Sequence, residues 1–163
     1  MIIFTRANKE DAKILSETQI RTFDDNSRRV FNKPFGGPPG YNSLNELEKS
    51  IDEDIYFKIL NNGKVIGGIH VTNKGNNHYE LTRIYVAPEE QNKGIGQKAI
   101  NFLEEEFLDV SKWTLDTPSV SIRNHYLYEK MGYMKVNEIL LDETSSLYLY
   151  FYEKTITVPL QKI

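Results

Sequence analysis

Two turn signals, Asn62-Gly63 and Gly75-Asn76-Asn77, cut residues 56–86 into three short β-rich runs, and nothing else in the chain constrains the fold as tightly. Asn-Gly supplies the two successive positive-φ residues that a two-residue hairpin turn demands. The runs 56–60, 64–72 and 79–86 are therefore expected as consecutive antiparallel strands. Pro88 stops the third run, because proline cannot donate to a strand ladder.

The flanks complete the pattern. Residues 2–7 read as a first strand, and Asn8 with Asp11 offers a capping-box-like start to a helix over 9–23. Residues 24–43 hold Asp24, Asp25 and Asn26, then Pro34, Gly36, Gly37, Pro38, Pro39 and Gly40, a composition that predicts a long surface loop. Ser43 caps a short helix through 51. Ile95, Ala99, Ile100, Leu103 and Phe107 recur at helical spacing, with Glu104, Glu105 and Glu106 largely on the wet side. A short strand over 112–116 follows, then a helix over 122–131 with Gly132 as its C-cap, then strands 134–141 and 147–154 as a closing hairpin. The expected fold is mixed α/β: a central, mostly antiparallel sheet of six or seven strands with helices on both faces, one domain over 1–163.

Composition removes several function classes. The chain has no cysteine, which excludes disulfides, thiolate metal sites and a cysteine nucleophile, and fits a reducing compartment. A net charge of −3 with both signs scattered does not favour nucleic acid as a partner. No apolar run approaches the ~20 residues of a membrane span, and the first residues lack the pattern of a signal peptide. No His, Asp or Glu grouping has metal-ligand spacing, so no metal is expected. The expected setting is the cytoplasm, without a membrane partner.

The strand ending at Val86 runs through Ala87, Pro88, Glu89 and Glu90 into Gln91-Asn92-Lys93-Gly94-Ile95-Gly96, where a helix begins. A loop feeding a helix start presents unpaired N–H groups at the positive end of the macrodipole, and a pyrophosphate is the anion expected there. Gly94 and Gly96 let backbone approach a ligand closely, and Lys93 adds positive charge. Gly94 to Ala99, with Asp116 twenty residues beyond Gly96, also fits a dinucleotide fingerprint. That fingerprint opens alternating strands and helices, whereas an antiparallel meander precedes it here.

Gln91-Asn92-Lys93-Gly94-Ile95-Gly96 after a strand, followed by Tyr128-Glu129-Lys130-Met131-Gly132-Tyr133 at the end of a helix, resembles the GCN5-related N-acetyltransferase family in both of its main sequence segments. The resemblance implies an acetyl-CoA-dependent N-acetyltransferase. It assigns Ile84, Tyr85 and Val86 to the pantetheine arm. Gln91, Asn92, Lys93, Gly94, Ile95, Gly96 and Gln97 go to the pyrophosphate, and Asn124 and Tyr128 to the thioester end. Many members carry Asn seven residues before the tyrosine. Here that position is Ser121, and Asn124 is the variant that stands in.

Acyl transfer needs a base for the amine, donors for the oxyanion and a proton for the leaving thiolate. Tyr128, with a phenol pKa near ~10, is the candidate acid. Glu80, in the strand leading to the cradle where some family members place a glutamate, is the candidate base, directly or through water. His70 is its rival. Arg123 and Lys130 read as surface cations and Trp113 as core. Without a cysteine to carry an acyl group, attack is expected to be direct, in a ternary complex. The acceptor is expected to be a small-molecule or peptide amine, its pocket shaped by the 24–41 loop with Phe31, Phe35 and Tyr41. A homodimer paired through the last strand is open. So is a different class, a non-catalytic acyl-CoA sensor or interaction module.

Overall fold

A computed structural model describes residues 1–157. Seven strands form one sheet: β1 (Ile2–Arg6), β2 (Ile55–Asn61), β3 (Lys64–Gly75), β4 (His78–Val86), β5 (Lys112–Pro118), β6 (Met134–Asp142) and β7 (Leu147–Thr155). Their order is β1-β2-β3-β4-β5-β7-β6. All neighbours are antiparallel except β4 and β5. The helices are α1 (Ala12–Asn26), α2 (Leu44–Glu53), α3 (Ile95–Glu106) and α4 (Ile122–Lys130). This is the mostly antiparallel α/β architecture that the turn spacing implied.

Asn62 and Gly63 both take positive φ, 50° and 83°, as do Asn76 and Asn77, at 54° and 59°. Both β-turns thus have the backbone whose twist matches the strands they join. Side chains then alternate between the two faces of the sheet. Phe57, Ile59, Ile69, Val71 and Trp113 pack with Ile95, Ala99, Ile100 and Leu103 of α3 and Tyr128 of α4. On the opposite face Tyr56 and Tyr85 pack with Ala12 and Leu15 of α1 and Leu47 of α2. Trp113, 1% exposed, is core as expected.

The structure departs from the expected loop over 24–43. Helix α1 runs on to Asn26, and a wider π-type turn over Ser27–Phe31 extends it. The charged run Asp24–Arg29 is the wet side of that extension. Asp25 pairs with Arg29 at 2.8 Å across one turn, while Ser27 is buried. Only beyond Asn32, at φ 54°, does the chain leave helical geometry. The first turn before α1, Lys9–Asp11, is 3₁₀ rather than α, with Asp11 accepting the Asn8 amide at 2.9 Å.

Candidate active site

Strands β4 and β5 pair only over three rungs, the last being Glu80 with Thr114. From Leu81 onward β4 keeps β3 on one side, and the side toward β5 opens. A cavity of about 830 Å³ lies in this opening, walled by Ile84, Tyr85 and Val86 of β4, by residues 90–92 and 94–97, and by Val120 to Asn124 and Tyr126 to Tyr128. Thr22, Phe23, Asn26, Arg29 and Val30 close its other side.

The floor of the cradle is backbone. After a 3₁₀ turn at Pro88–Glu90, Asn92 takes φ 65° and Gly94 takes φ 75°, and α3 begins at Ile95 without a side-chain cap. Among the described residues, none of the amides of residues 92–97 donates to a protein oxygen; the next, Lys98, donates to Gly94 O at 3.2 Å. A row of free N–H groups on successive residues at a helix start suits a diphosphate. A β-carbon at Gly94 would meet nothing within 4 Å, so the glycine serves its positive φ.

The side chains of the Gln91–Gly96 segment are engaged elsewhere. Gln91 Nε2 donates to Val86 O at 2.8 Å, and its Oε1 accepts from Arg29 at 3.2 Å. The glutamine thus folds the loop onto the end of β4 instead of offering a free donor. Lys93 pairs with Glu90 at 3.1 Å, and Ile95 is 3% exposed in the core. A second tie, Arg21 to both carboxylate oxygens of Glu89, holds α1 to the same turn and pulls the Glu89 carboxyl down to about 2. Tyr85 turns its side chain into the α1 face, where its hydroxyl meets Tyr56 at 2.7 Å. Arg123, read from sequence as a surface cation, lies on the cavity wall and donates to the Asn92 carboxamide. Arg29 lines the same cavity.

Tyr128 is placed by the end of α4. Tyr133 N donates to Tyr128 O at 2.9 Å and Gly132 N to Glu129 O at 3.1 Å, with Gly132 at φ 96°. This double closure is the Schellman cap, and its usual apolar contact is the Tyr128–Tyr133 ring pair, 5.9 Å apart. The Tyr-Glu-Lys-x-Gly-Tyr segment is therefore a helix stop that fixes its own first residue. The Tyr128 hydroxyl has no hydrogen-bond partner among the described residues, although the side chain is buried. Burial, with a smaller contribution from Asp116, pushes its phenol well above the ordinary value and keeps it protonated. Asn124 donates to Thr117 Oγ1 at 3.3 Å on the same wall.

Glu80 and Tyr128 are not brought into one chamber. Glu80 lines a smaller cavity of about 280 Å³ with Thr114, Asp116, Asn137, Phe151 and Tyr152, beside the last β4–β5 rung. Its carboxylate accepts from Thr82 Oγ1 at 3.2 Å. His70 lies on neither cavity wall. Its Nε2 sits 2.8 Å from Asp54, so that nitrogen carries the proton, and its ring stacks on Tyr56. Burial lowers its pKa against the pull of Asp54. This is a tied, half-buried histidine. Of the expected acceptor-pocket aromatics, Tyr41 is buried as an anchor, donating to Asp24 at 2.7 Å, and Phe31 and Phe35 do not line the large cavity. Phe23 and Val30, from the helical extension, do. Arg29 and Arg123 carried no sequence signal of a role at the cradle, because only the packing of α1 and α4 brings them there. Among the described residues no group of three or more His, Asp or Glu side chains could hold a metal, and no helix is long and apolar enough to cross a membrane.

Residues 10–133 match the model of the family described as Acetyltransferase (GNAT) family. Comparison with curated proteins finds no match. Among solved structures the chain is similar to the PaiA N-acetyltransferase from Thermoplasma acidophilum in complex with coenzyme A. The identity is 19% and the TM-score 0.74, over 96% of this chain and 99% of that one. An acetyltransferase from Thermus thermophilus aligns at 11% identity and TM-score 0.76, covering 96% and 97% of the two chains. A spermidine N-acetyltransferase SpeG chimera from Vibrio cholerae and hSSAT aligns at 17% and 0.73, covering 94% and 95%. At these identities the likeness concerns the fold.

Proposed function

Since the chain belongs to the acetyltransferase (GNAT) family, we propose that it forms one N-acetyltransferase domain over 1–163, moving the acetyl group of acetyl-CoA to a primary amine by direct attack in a ternary complex. The observation that carries this reading is the row of amides at 92–97, free among the described residues, lining one cavity with a protonated tyrosine that has no partner among them. Those amides and the positive end of α3 bind the diphosphate of the donor, with Arg29 and Arg123 adding charge. The open edge of β4 at Ile84 and Val86 takes the pantetheine amides, which need backbone partners once out of water.

Bound so, the donor presents a thioester. Tyr128 lies where the sulfur departs. Its raised pKa makes complete proton loss uphill, so the hydroxyl acts by hydrogen-bond donation to the developing thiolate and by relaying a proton to it as charge builds. Asn124, held by Thr117, orients groups at that end. Glu80 removes a proton from the incoming ammonium, directly or through water. The acceptor is a small-molecule or peptide amine; a protein of the same fold acts on spermidine by its name, which is compatible with an aliphatic amine. The absence of cysteine from the chain suits a cytoplasmic enzyme.

The test is thiol release from acetyl-CoA across a panel of primary amines. Turnover with at least one amine, saturable in both substrates, supports the proposal. Tight acetyl-CoA binding with no release on any amine would make the protein a sensor and end the catalytic reading.

A further inference from the structure

The reaction needs a proton acceptor near the thioester, and Glu80 faces a chamber separate from that of Tyr128. One residue lines the Glu80 chamber and also acts electrostatically on Tyr128. Asp116 lies on β5 two positions past Thr114, the partner of Glu80 in the last rung. Side chains alternate along a strand, so Asp116, Thr114 and Glu80 point to the same face of the sheet. Asp116 therefore stands at the fork where the strands part, on the wall of the cavity that Glu80 also lines. Its side chain opens into that cavity, yet the surrounding strands strip much of its hydration, whereas its neighbours Leu115 and Thr117 turn into the opposite face and are buried.

We infer that Asp116 and Glu80 act as one proton-accepting pair for the acceptor ammonium, with Asp116 the member nearer the reacting centre. The inference rests on the acetyl transfer proposed above. The pair takes one proton from the ammonium, freeing the nitrogen lone pair. The C–N bond then forms as the C–S bond breaks. The second nitrogen proton passes to the Tyr128 oxygen as that hydroxyl gives its own to sulfur. The pair returns its proton to solvent.

Electrostatics agree with this placement. Burial first, then Glu80, holds the Asp116 carboxyl above the usual carboxylate range, while Arg83 pulls it down. Asp116 in turn helps raise the Tyr128 phenol. The charged and titratable groups that bear on the pair are Arg83 from β4, Lys74 from β3, 3.9 Å from Glu80, and Tyr128 from α4; β6 contributes the neutral Asn137. Arg83 is itself anchored, donating to Gln19 at 3.3 Å and to Pro39 O at 3.1 Å, so it opposes the pair without sealing it. A carboxyl raised beside a second carboxylate is the better proton acceptor for an ammonium, and that member is Asp116.

The experiment has two arms. The first follows the carboxyl carbon of Asp116 by ¹³C NMR across pH in the full chain and in Glu80→Gln. A midpoint above the ordinary aspartate range that falls in Glu80→Gln supports the pair; an ordinary midpoint indifferent to Glu80→Gln overturns it. The second measures thiol release against pH. Asp116→Asn is expected to lower kcat about a hundredfold, the low end for loss of a general base. KM for acetyl-CoA should stay within about twofold, and Asp116→Glu should restore part of the rate. In Glu80→Gln the acidic limb of kcat/KM is expected to move to lower pH, because one cause of the raised Asp116 pKa is gone. Unchanged kcat and limb in Asp116→Asn refute the role. Failure of the transferase reading looks different: the parent releases no thiol with any amine, and the NMR arm alone then decides whether the pair exists.

Discussion

Gly96, in the first turn of α3, faces α4 at close range. A β-carbon there would lie 2.9 Å from Leu127 Cδ2 and 3.6 Å from Leu127 Cδ1. Those atoms are the far end of a flexible side chain, so one methyl group is absorbed by a small leucine rotation. Replacing a helical glycine also returns up to about 1 kcal/mol. Gly96→Ala is therefore expected within about 1 kcal/mol of the parent in stability. Valine adds two more carbons, and Leu127 cannot clear all three without moving α4. Overpacking of this kind costs about 1–3 kcal/mol. In a domain of this size each kcal/mol is worth about 2–4 °C, so Gly96→Val is expected to melt roughly 2–12 °C lower. The displaced helix carries Tyr128, the residue after Leu127, and the new methyls crowd the amides of the cradle. Acetyl-CoA affinity and kcat should both fall in the valine variant and hold in the alanine one. Calorimetry of the two variants, with isothermal titration of coenzyme A, reads this out. A valine variant that melts and binds like the parent would refute the claim that α3 and α4 are in contact at this glycine.

Two further outcomes follow from the site. Tyr128→Phe removes a buried hydroxyl that has no partner among the described residues, so Tm should stay level or rise while kcat drops about a hundredfold; a lower Tm with intact kcat would make Tyr128 structural. Replacing residues 34–40 by a short linker removes the Pro39 carbonyl that holds Arg83 but leaves the cradle untouched. Acceptor KM should then rise more than the Kd for acetyl-CoA, and equal losses would count against a role for this segment in acceptor binding.

The meander and the cradle could be read from the sequence because both are local. Asn62-Gly63 and Asn76-Asn77 take positive φ at less cost than other pairs, and a glycine pair between a strand stop and a helical stripe places a loop at a helix start. Other features depend on distant partners. Asp24 to Arg29 has loop composition, yet it continues α1 because Ser27 finds a buried face and Asp25 and Arg29 pair along the wet one. Gln91 carries the motif, but its carboxamide is spent on Val86 O and Arg29, which only the folded loop brings within reach. Asp116 sits at the fork because β4 and β5 pair for three rungs and then separate, a register that no local pattern encodes. The order β5-β7-β6 is likewise set by tertiary pairing; a hairpin read from sequence does not say which of its strands joins the sheet.

All nine side chains of β6 are exposed, and among the described residues it joins the sheet through β7 alone. Apolar attachment at that margin thus falls to its neighbour, where Tyr152 is 2% exposed. The outermost strand answers to solvent and to its ladder, and the interior makes no demand on it. A scan of single substitutions over 134–142 should leave Tm nearly flat, with proline facing β7 as the exception, because it alone deletes a donor the ladder uses. Away from Val136 and Asn137, which border the chamber of Glu80 and Asp116, this margin is where sequence is freest to drift.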